Sequence, residues 1–407
     1  MISILHLATV AGAQAEVRFS ASEQRALDAI KAVCADISVS VVFNAPVVGK
    51  ESAVVSRIER RGVVVGERFL YRFGELDTLR LDVLGRAGQP SRLVAETRTN
   101  ELPYFFVGTD NNCEVQEIRR LVYVDAADEQ QSVARISAIQ RLDGNGRLIS
   151  VEEINPPSSL LSVPVRDKNP VRVALVDSGV NYLLPQIQAG LARDHRGRLL
   201  GYDFWDMDRL PFDAQEAGSP FFVRRHGTQT ASLLLRESEG DVELVSYRYP
   251  GSNLARMAAL VAHADGLGVR IVGLPLGSGR LTDWITFEAA AAAHPHILFV
   301  VSAGNGGRDI DQDPVYPAAL ELDNMVVVSS ADDFAGVAER VNWGARSVDY
   351  LLPAERQPVL DYGGGQRIAS GSSYAVSRMV AMAADLLRRH PASDAADLVA
   401  IIDRRVD

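Results

Sequence analysis

The chain has 407 residues, 47% of them hydrophobic and 23% charged, and its formal net charge is −10. This length and apolar content suffice for two domains with separate cores, and they exclude a chain that is disordered throughout. The acidic balance argues against nucleic acid as a partner, because a polyanion would be repelled.

The first residues have the pattern of a secretory signal. An apolar run covers Ile2 to Ala11, and Ala13-Gln14-Ala15 fits the small-x-small cleavage pattern. The basic segment that usually precedes such a run is missing, so a buried strand or helix is the alternative. The run is too short for a membrane span, and no later stretch of about 20 apolar residues exists. We predict a signal peptide over 1–15 and an exported protein, periplasmic or secreted.

Residues 16–165 are predicted to form a β-rich (α+β) domain. Ser20 and Glu23 make a capping-box pattern, and apolar residues then recur at helical spacing, which predicts a helix from Ser20 to Ala35. A hairpin turn is expected at Asp143–Gly146. Strand-like runs lie at 37–43, 62–73, 78–84, 92–97, 118–124, 133–142 and 147–154.

The chain has two cysteines, Cys34 and Cys113, both in this first domain. In an exported protein they could form one disulfide. Two buried free thiols are the alternative, and the spacing does not decide between them.

From residue 171 the pattern changes to alternating strands and helices, after a stretch of linker composition that places the boundary near residue 165. Apolar strands between helices indicate a parallel sheet covered on both faces. Functional groups of such sheets lie at the carboxyl ends of strands, where Asp177 and Asn305 both fall. The strands are predicted at 171–176, 242–249, 269–274, 297–302 and 325–329, and the helices at 226–235, 253–267, 282–293 and 372–389.

Three short motifs in this second half together indicate nucleophilic catalysis: Asp177-Ser178-Gly179, Arg225-His226-Gly227-Thr228 and Gly371-Ser372-Ser373-Tyr374-Ala375. A serine hydroxyl is a poor nucleophile until a histidine takes its proton, and the histidine needs an acid to hold it. Alone, Asp177 could be a turn aspartate, His226 an exposed helix-start histidine, and Asn305 a turn residue. The order Asp, His, Ser favours a triad, since it is the order found in subtilisin.

With these motifs in hand, residues 171–390 resemble the subtilisin-like serine proteases. The resemblance implies an α/β, subtilisin-like three-layer domain with a mostly parallel sheet over 166–407, preceded by the smaller β-rich domain. It implies a serine endopeptidase that forms an acyl-enzyme. Ser373 would attack the peptide carbonyl, His226 would transfer the proton, Asp177 would hold the imidazole, and Asn305 with the Ser373 amide would stabilise the oxyanion.

The same resemblance implies a substrate-binding cleft and a polypeptide substrate. Its residues would be Pro275, Leu276, Gly277, Ser302, Ala303, Gly304 and Val315. Pro275 keeps a carbonyl acceptor but has no N–H to donate. Val315 stands where the family often keeps glycine, and we expect it to favour small side chains at P1, the residue whose carbonyl is attacked. Tyr374 replaces the common methionine, and Ser377 replaces the proline usual in the first helical turn.

We expect no metal site and no cofactor, although members of the resembled family often carry structural calcium. Asp309, Asp311 and Asp313 alternate, but an EF-hand loop needs glycine at its sixth position and glutamate at its twelfth, where Pro314 and Leu320 stand. We interpret this segment as a solvated acidic loop. The same interpretation is given to Asp203, Asp206, Asp208 and Asp213.

Two functions of other classes compete with the protease. An α/β-hydrolase esterase would need the order Ser, acid, His, yet only 34 residues follow Ser373 and their one histidine is His390 on the same helix. That function is therefore rejected. A catalytically weak or inactive binding module is retained as the alternative, on the departures at Pro275 and Ser377.

The role of the first domain also has two interpretations. A propeptide would be cleaved off, and an accessory domain would be retained and is expected to pack on the protease domain. The length of about 150 residues favours the accessory domain.

Overall fold

The computed structural model describes residues 19–36, 53–60, 62–73, 75–86, 89–124, 135–158, 170–215, 219–249 and 254–406. The chain divides into two compact units between Ile154 and Asn155. The predicted signal peptide, the predicted strand at 37–43 and the predicted boundary near residue 165 lie outside the described residues. Within the described part, the chain contains no helix with the length and apolar content of a membrane span.

Within its described residues, the first unit is an eight-stranded antiparallel sheet with one helix, which fits the predicted β-rich (α+β) domain. The strands pair in chain order, each with the next. The elements are α1 (Ala21–Asp36), β1 (Val54–Arg60), β2 (Val63–Phe73), β3 (Asp77–Arg86), β4 (Gln89–Thr99), β5 (Leu102–Thr109), β6 (Val115–Val124), β7 (Arg135–Leu142) and β8 (Leu148–Glu153).

Helix α1 begins at the predicted capping box. The Ser20 N–H donates to Glu23 Oε2 over 2.7 Å, and the Glu23 N–H donates to Ser20 Oγ over 3.3 Å. Glu23 also accepts from Arg120 on β6, whose Nε lies 2.5 Å from Oε1. One apolar face of the helix packs on the sheet through Ala26, Leu27, Ala29, Ile30 and Val33.

A disulfide joins Cys34 on α1 to Cys113 in the turn between β5 and β6, with 5.9 Å between the two Cα atoms. It resolves the alternative left open by the sequence. The two cysteines are 79 positions apart. Closing so long a loop removes much entropy from the unfolded chain, which corresponds to about 4.5 kcal/mol of stabilisation in the chain-entropy description.

The second unit contains nine strands and six α-helices within its described residues. The strands are β9 (Val171–Asp177), β10 (Tyr202–Asp203), β11 (Val242–Arg248), β12 (Ile271–Leu274), β13 (Leu298–Ser302), β14 (Met325–Ala331), β15 (Tyr350–Pro353), β16 (Gln357–Leu360) and β17 (Gln366–Ala369). The helices are α2 (Pro185–Gln188), α3 (Gly227–Glu237), α4 (Met257–Gly266), α5 (Ile285–Ala293), α6 (Ser372–Arg389) and α7 (Ala395–Val406).

Seven of these strands form one parallel sheet in the order β10-β11-β9-β12-β13-β14-β15. Alternate residues of β9 face opposite cores: Val173 and Leu175 pack with helices α3 and α6, and Ala174 and Val176 pack with α4 and α5. The predicted parallel sheet between helical layers is confirmed. Since β9 neighbours both β11 and β12, its carboxyl end lies at the point where the strand order reverses, a usual place for a site.

The interpretation of 203–213 as a solvated acidic loop is wrong. Asp203 and Asp213 are fully buried. Arg248 at the end of β11 places Nη1 2.7 Å from both Asp203 Oδ2 and Asp206 Oδ2. Burial raises the pKa of Asp203 to about 7, although the charge of Arg248 acts in the opposite direction. Arg248, the cation that makes this burial tolerable, lies on β11, far from the loop in the sequence. The composition of the loop alone therefore did not reveal it.

Candidate active site

Asp177 and His226 pair at the carboxyl end of the parallel sheet. Asp177 ends β9, and His226 is the residue before α3. The His226 Nδ1 lies 2.7 Å from Asp177 Oδ1 and 2.8 Å from Oδ2. Thr230 Oγ1 donates to Asp177 Oδ2 over 2.8 Å, so the carboxylate has a fixed orientation. The pairing places the imidazole proton on Nδ1 and leaves Nε2 as the basic nitrogen.

Close backbone contact explains the glycine after this histidine. A Cβ on Gly227 would lie 2.0 Å from the carbonyl oxygen of Gly179. Only glycine therefore lets α3 begin directly against the segment that follows Asp177. The segment that follows Asp177 and the segment that follows His226 are therefore in direct backbone contact.

Two opposing effects act on the pKa of His226. Burial lowers it, whereas the charge of Asp177, the hydrogen bond to Asp177 and the charge of Asp213 raise it, and the net pKa is raised above the ordinary histidine value. The His226 side chain is one third exposed, so the ring remains reachable from solvent. A histidine with this environment is suited to hold and release a proton near neutral pH.

Asp213 is a site residue that the sequence reasoning missed. Its Oδ1 accepts from Ser178 Oγ over 2.6 Å and from the His226 N–H over 3.1 Å, and its Oδ2 accepts from the Thr228 N–H over 2.9 Å. Burial raises its pKa, and the hydrogen bonds from Ser178 and Thr228 oppose that rise. The carboxylate thus holds the N-terminus of α3, where negative charge is favoured, and fixes the backbone of His226.

Ser373 lies in the first turn of α6 and is largely buried. Two hydrogen bonds join this helix to α3: Tyr374 Oη donates to Gln229 Oε1 and Ser377 Oγ donates to the Thr230 carbonyl, each over 2.9 Å. The ring centroid of Tyr374 lies 6.3 Å from that of His226. Both departures from the family pattern, at Tyr374 and Ser377, therefore form contacts that join the helix of Ser373 to the helix that starts at His226.

Asn305 follows β13 and is held by the start of α6. Its Oδ1 accepts from the Ser372 N–H and from Ser372 Oγ, both over 3.0 Å. Because a backbone N–H can only donate, the amide oxygen must face α6, and Nδ2 is left for the open side. Gly371 has a φ of 128°, and a Cβ there would lie 2.8 Å from Asn305 Oδ1. Glycine is therefore required for this approach.

A cavity of about 350 Å³ opens beside Ser373 and Asn305. Val315 lies between its walls: its Cγ1 is 3.2 Å from the place of a Cβ on Gly277 and 4.0 Å from that on Gly304. The predicted substrate-binding residues that line the cavity are Pro275, Leu276, Gly277, Ser302, Gly304 and Val315. Ala303, also predicted, is fully buried and does not line it.

Asn342 is the second residue that the sequence reasoning missed. Its Nδ2 donates to the Ala303 carbonyl over 2.6 Å, and its Oδ1 accepts from the N–H groups of Gly306 at 2.9 Å and Arg308 at 3.3 Å. It therefore fixes the loop that carries Asn305. No spacing or motif in the sequence marked it, because it lies far along the chain from this loop.

The acidic segment 309–313 is anchored through its middle residue. Asp311 accepts from the N–H groups of Arg346 and Ser347 at 3.1 and 2.9 Å. The hydrogen bond from the Ser347 side chain lowers the pKa of Asp311 most, and these two backbone bonds lower it further. Throughout the described ranges, no three His, Cys, Asp or Glu side chains converge as metal ligands.

Comparison with known proteins shows which family and which solved structures this chain is similar to. The sequence profile of the subtilase family matches residues 168–403, more than half of the chain. No curated protein matches the chain. Among solved structures, a cold adapted subtilisin-like serine proteinase is similar at 21% identity and a TM-score of 0.48, over 60% of this chain and 87% of that chain.

Two further solved structures are similar at lower identity. Sphericase has 18% identity and a TM-score of 0.45, over 59% of this chain and 86% of that one. The nisin leader peptidase NisP from Lactococcus lactis has 13% identity and a TM-score of 0.45, over 57% and 82%.

Proposed function

Because this chain belongs to the subtilase family of serine proteases, we propose that its second unit cleaves peptide bonds through Asp177, His226 and Ser373. The observation that carries the proposal is the pairing of His226 Nδ1 with both oxygens of Asp177, at 2.7 and 2.8 Å. That pairing leaves Nε2 free to act as a base, on a helix bonded to the helix of Ser373.

The reaction would begin when Ser373 Oγ attacks the carbonyl carbon and His226 Nε2 accepts the hydroxyl proton. Asn305 Nδ2 and the Ser373 N–H would donate to the oxyanion that forms. His226 then gives the proton to the leaving amine, and an acyl-enzyme remains. Water, deprotonated by the same histidine, releases the acid and restores Ser373.

An extended polypeptide is the substrate that the cleft suits. The segment 275–277 lines one wall of the cavity, and Ser302 and Gly304 line another. Pro275 offers only its carbonyl to a paired strand, whereas Gly277 offers both groups. Val315 fills the space between the walls, which favours P1 side chains smaller than an aromatic ring. A peptide-library profile dominated by large aromatic P1 residues would contradict this size limit.

An active-site probe separates the protease from the inactive binding module. A fluorophosphonate should label the full-length protein at Ser373, and Ser373→Ala should abolish both labelling and peptide hydrolysis. Ser393→Ala is a matched control on the same unit and should be labelled normally. Absence of labelling in the folded wild-type protein would instead support the binding module.

The same labelled sample tests the fate of the first unit. We propose that it is retained as an accessory domain in an exported protein, which the disulfide Cys34–Cys113 supports, since disulfides persist in oxidising compartments. N-terminal sequencing should then find a terminus near residue 16. A new terminus at 165–170 would mean a cleaved propeptide.

A further inference from the structure

One charged side chain distinguishes the cavity beside Ser373. Among the described residues that line it, Arg308 is the only one with a charge; the others are glycines, apolar residues, serines and asparagines. The chain as a whole carries a net charge of −10. A lone cation in the substrate cleft of an acidic protein points to selection for negative charge in the substrate.

Arg308 is placed in the cavity wall by its backbone and its neighbours. Its N–H donates to Asn342 Oδ1 over 3.3 Å, in the loop that carries Asn305. Its side chain lies over Gly306, with Nε 3.6 Å from the place that a Cβ on that glycine would occupy. That distance is an ordinary van der Waals contact, so the stem of the Arg308 side chain runs directly beside the loop that carries Asn305.

The guanidinium is only partly satisfied. Nη1 bonds the exposed carboxylate of Asp313, but Nε is buried and has no hydrogen-bond partner. Because Nε is inaccessible, a ligand would approach the outer end of the guanidinium, and 41% of the Arg308 side chain is exposed. A carboxylate matches the geometry of a guanidinium edge, where it accepts two parallel hydrogen bonds.

We propose that Arg308 makes this cavity select an acidic side chain, Asp or Glu, at the P1 position of the polypeptide; the inference rests on the proposed protease function. The substrate carboxylate accepts from the exposed outer end of the guanidinium, where Asp313 competes for the same cation. Val315 limits the size of the side chain, and Arg308 selects its charge.

The test uses the full-length enzyme and four fluorogenic peptides that differ only at P1: Glu, Gln, Lys and Ala. The wild-type kcat/KM should be higher for Glu than for Gln by about tenfold or more, the range that charge-assisted hydrogen bonds provide. Arg308→Gln should bring that ratio to about 1. Asp313→Asn should raise it, because the competing carboxylate is removed.

Two further variants test whether a change in the Glu/Gln ratio comes from the Arg308 side chain itself or from a disturbed structure. Arg308→Lys keeps the charge but loses the planar fork, so the ratio should fall to an intermediate value. Arg356→Gln is the matched control: it removes an arginine from a similarly exposed pair with Asp333, and Arg356 does not line the cavity. Its ratio should equal that of the wild type. The Ala peptide and fluorophosphonate labelling report the active fraction of each preparation.

The outcomes distinguish this inference from the function it rests on. If Ser373 is labelled but Glu is not preferred over Gln, or the preference survives Arg308→Gln, the acidic specificity is wrong and the protease proposal stands. If Ser373 is not labelled and no peptide is cleaved, the proposed function is wrong and the acidic preference with it.

Discussion

The helix–sheet junction of the first unit and the candidate active site of the second bury charge in different ways. In the first unit, Glu23 faces the opposite charge of Arg120, with two contacts of 2.5 and 2.9 Å. In the second, Asp177 and Asp213 are surrounded by hydroxyls, backbone N–H groups and one histidine. An ion pair neutralises its own field, whereas a carboxylate held by neutral donors keeps its charge available to a neighbouring histidine. The first arrangement joins a helix to a sheet, and the second raises the pKa of His226.

Arg120→Ala should give the largest effect on stability. It would leave Glu23 buried without its partner, which costs about 3–5 kcal/mol in comparable buried pairs. Chemical denaturation followed by a probe in the first unit would measure the loss. Arg98→Ala, an exposed arginine on β4, is the control and should change stability by less than about 0.5 kcal/mol.

The double variant Arg120→Ala/Glu23→Gln sharpens this prediction. It should recover part of the loss, because no buried charge then remains and Gln can still accept from Ser20. If the double variant is as unstable as the single one, lost packing rather than unpaired charge explains the effect.

Asn305→Ala should lower kcat by a factor of about 100–1000, or about 2.7–4 kcal/mol, a value measured on the oxyanion asparagine of subtilisin and transferred here. Because the amide would bind the oxyanion and not the ground state, KM should change little. Steady-state kinetics on one peptide separates the two constants. A rise in KM with an unchanged kcat would assign Asn305 to substrate binding instead.

Asp213→Asn should give the smallest effect, on the pH dependence. The charge of Asp213 helps to raise the pKa of His226, so its removal lowers that pKa. A general base must be unprotonated, and kcat/KM therefore falls as the pH drops through the pKa of His226. The acid limb of the profile should move to lower pH in Asp213→Asn. Asp311→Asn is the control: Asp311 is not among the groups that shift the pKa of His226, and its limb should not move.

Local patterns predicted the elements whose causes are local. Helix α6 has the predicted bounds, because Gly371 precedes it with a φ of 128° that is not helical and an apolar stripe continues to the end of the helix. Strand β5 is not among the predicted strands, and it contains Pro103, which has no N–H to donate. In the structure, Pro103 pairs at a β-bulge between Thr97 and Arg98, where the ladder tolerates a missing N–H. Strand β1 is also not among the predicted strands; six of its seven residues are exposed, so it has no alternation of buried and exposed positions.

The missed site residues depend on contacts between distant segments. Asp213 is buried because Ser178 and Thr228 supply donors, and neither lies close to it in the sequence. Asn342 similarly acts on a loop 34 to 39 positions earlier. The sequence motifs contain the residues proposed to react. Asp213 and Asn342, which hold the surrounding segments in place, could be found only in the folded chain. The roles of Asp177, His226, Ser373 and Asn305 remain predictions until the probe and the variants test them.

The bonds from Tyr374 and Ser377 to α3 have a consequence for how this protein can change. The proposed nucleophile lies in the first turn of α6 and the proposed base directly precedes α3, and these two helices are hydrogen-bonded to each other. We therefore expect insertions and deletions in loops away from Asp213 and Asn342 to change access to the cavity while the proposed reacting groups stay in place.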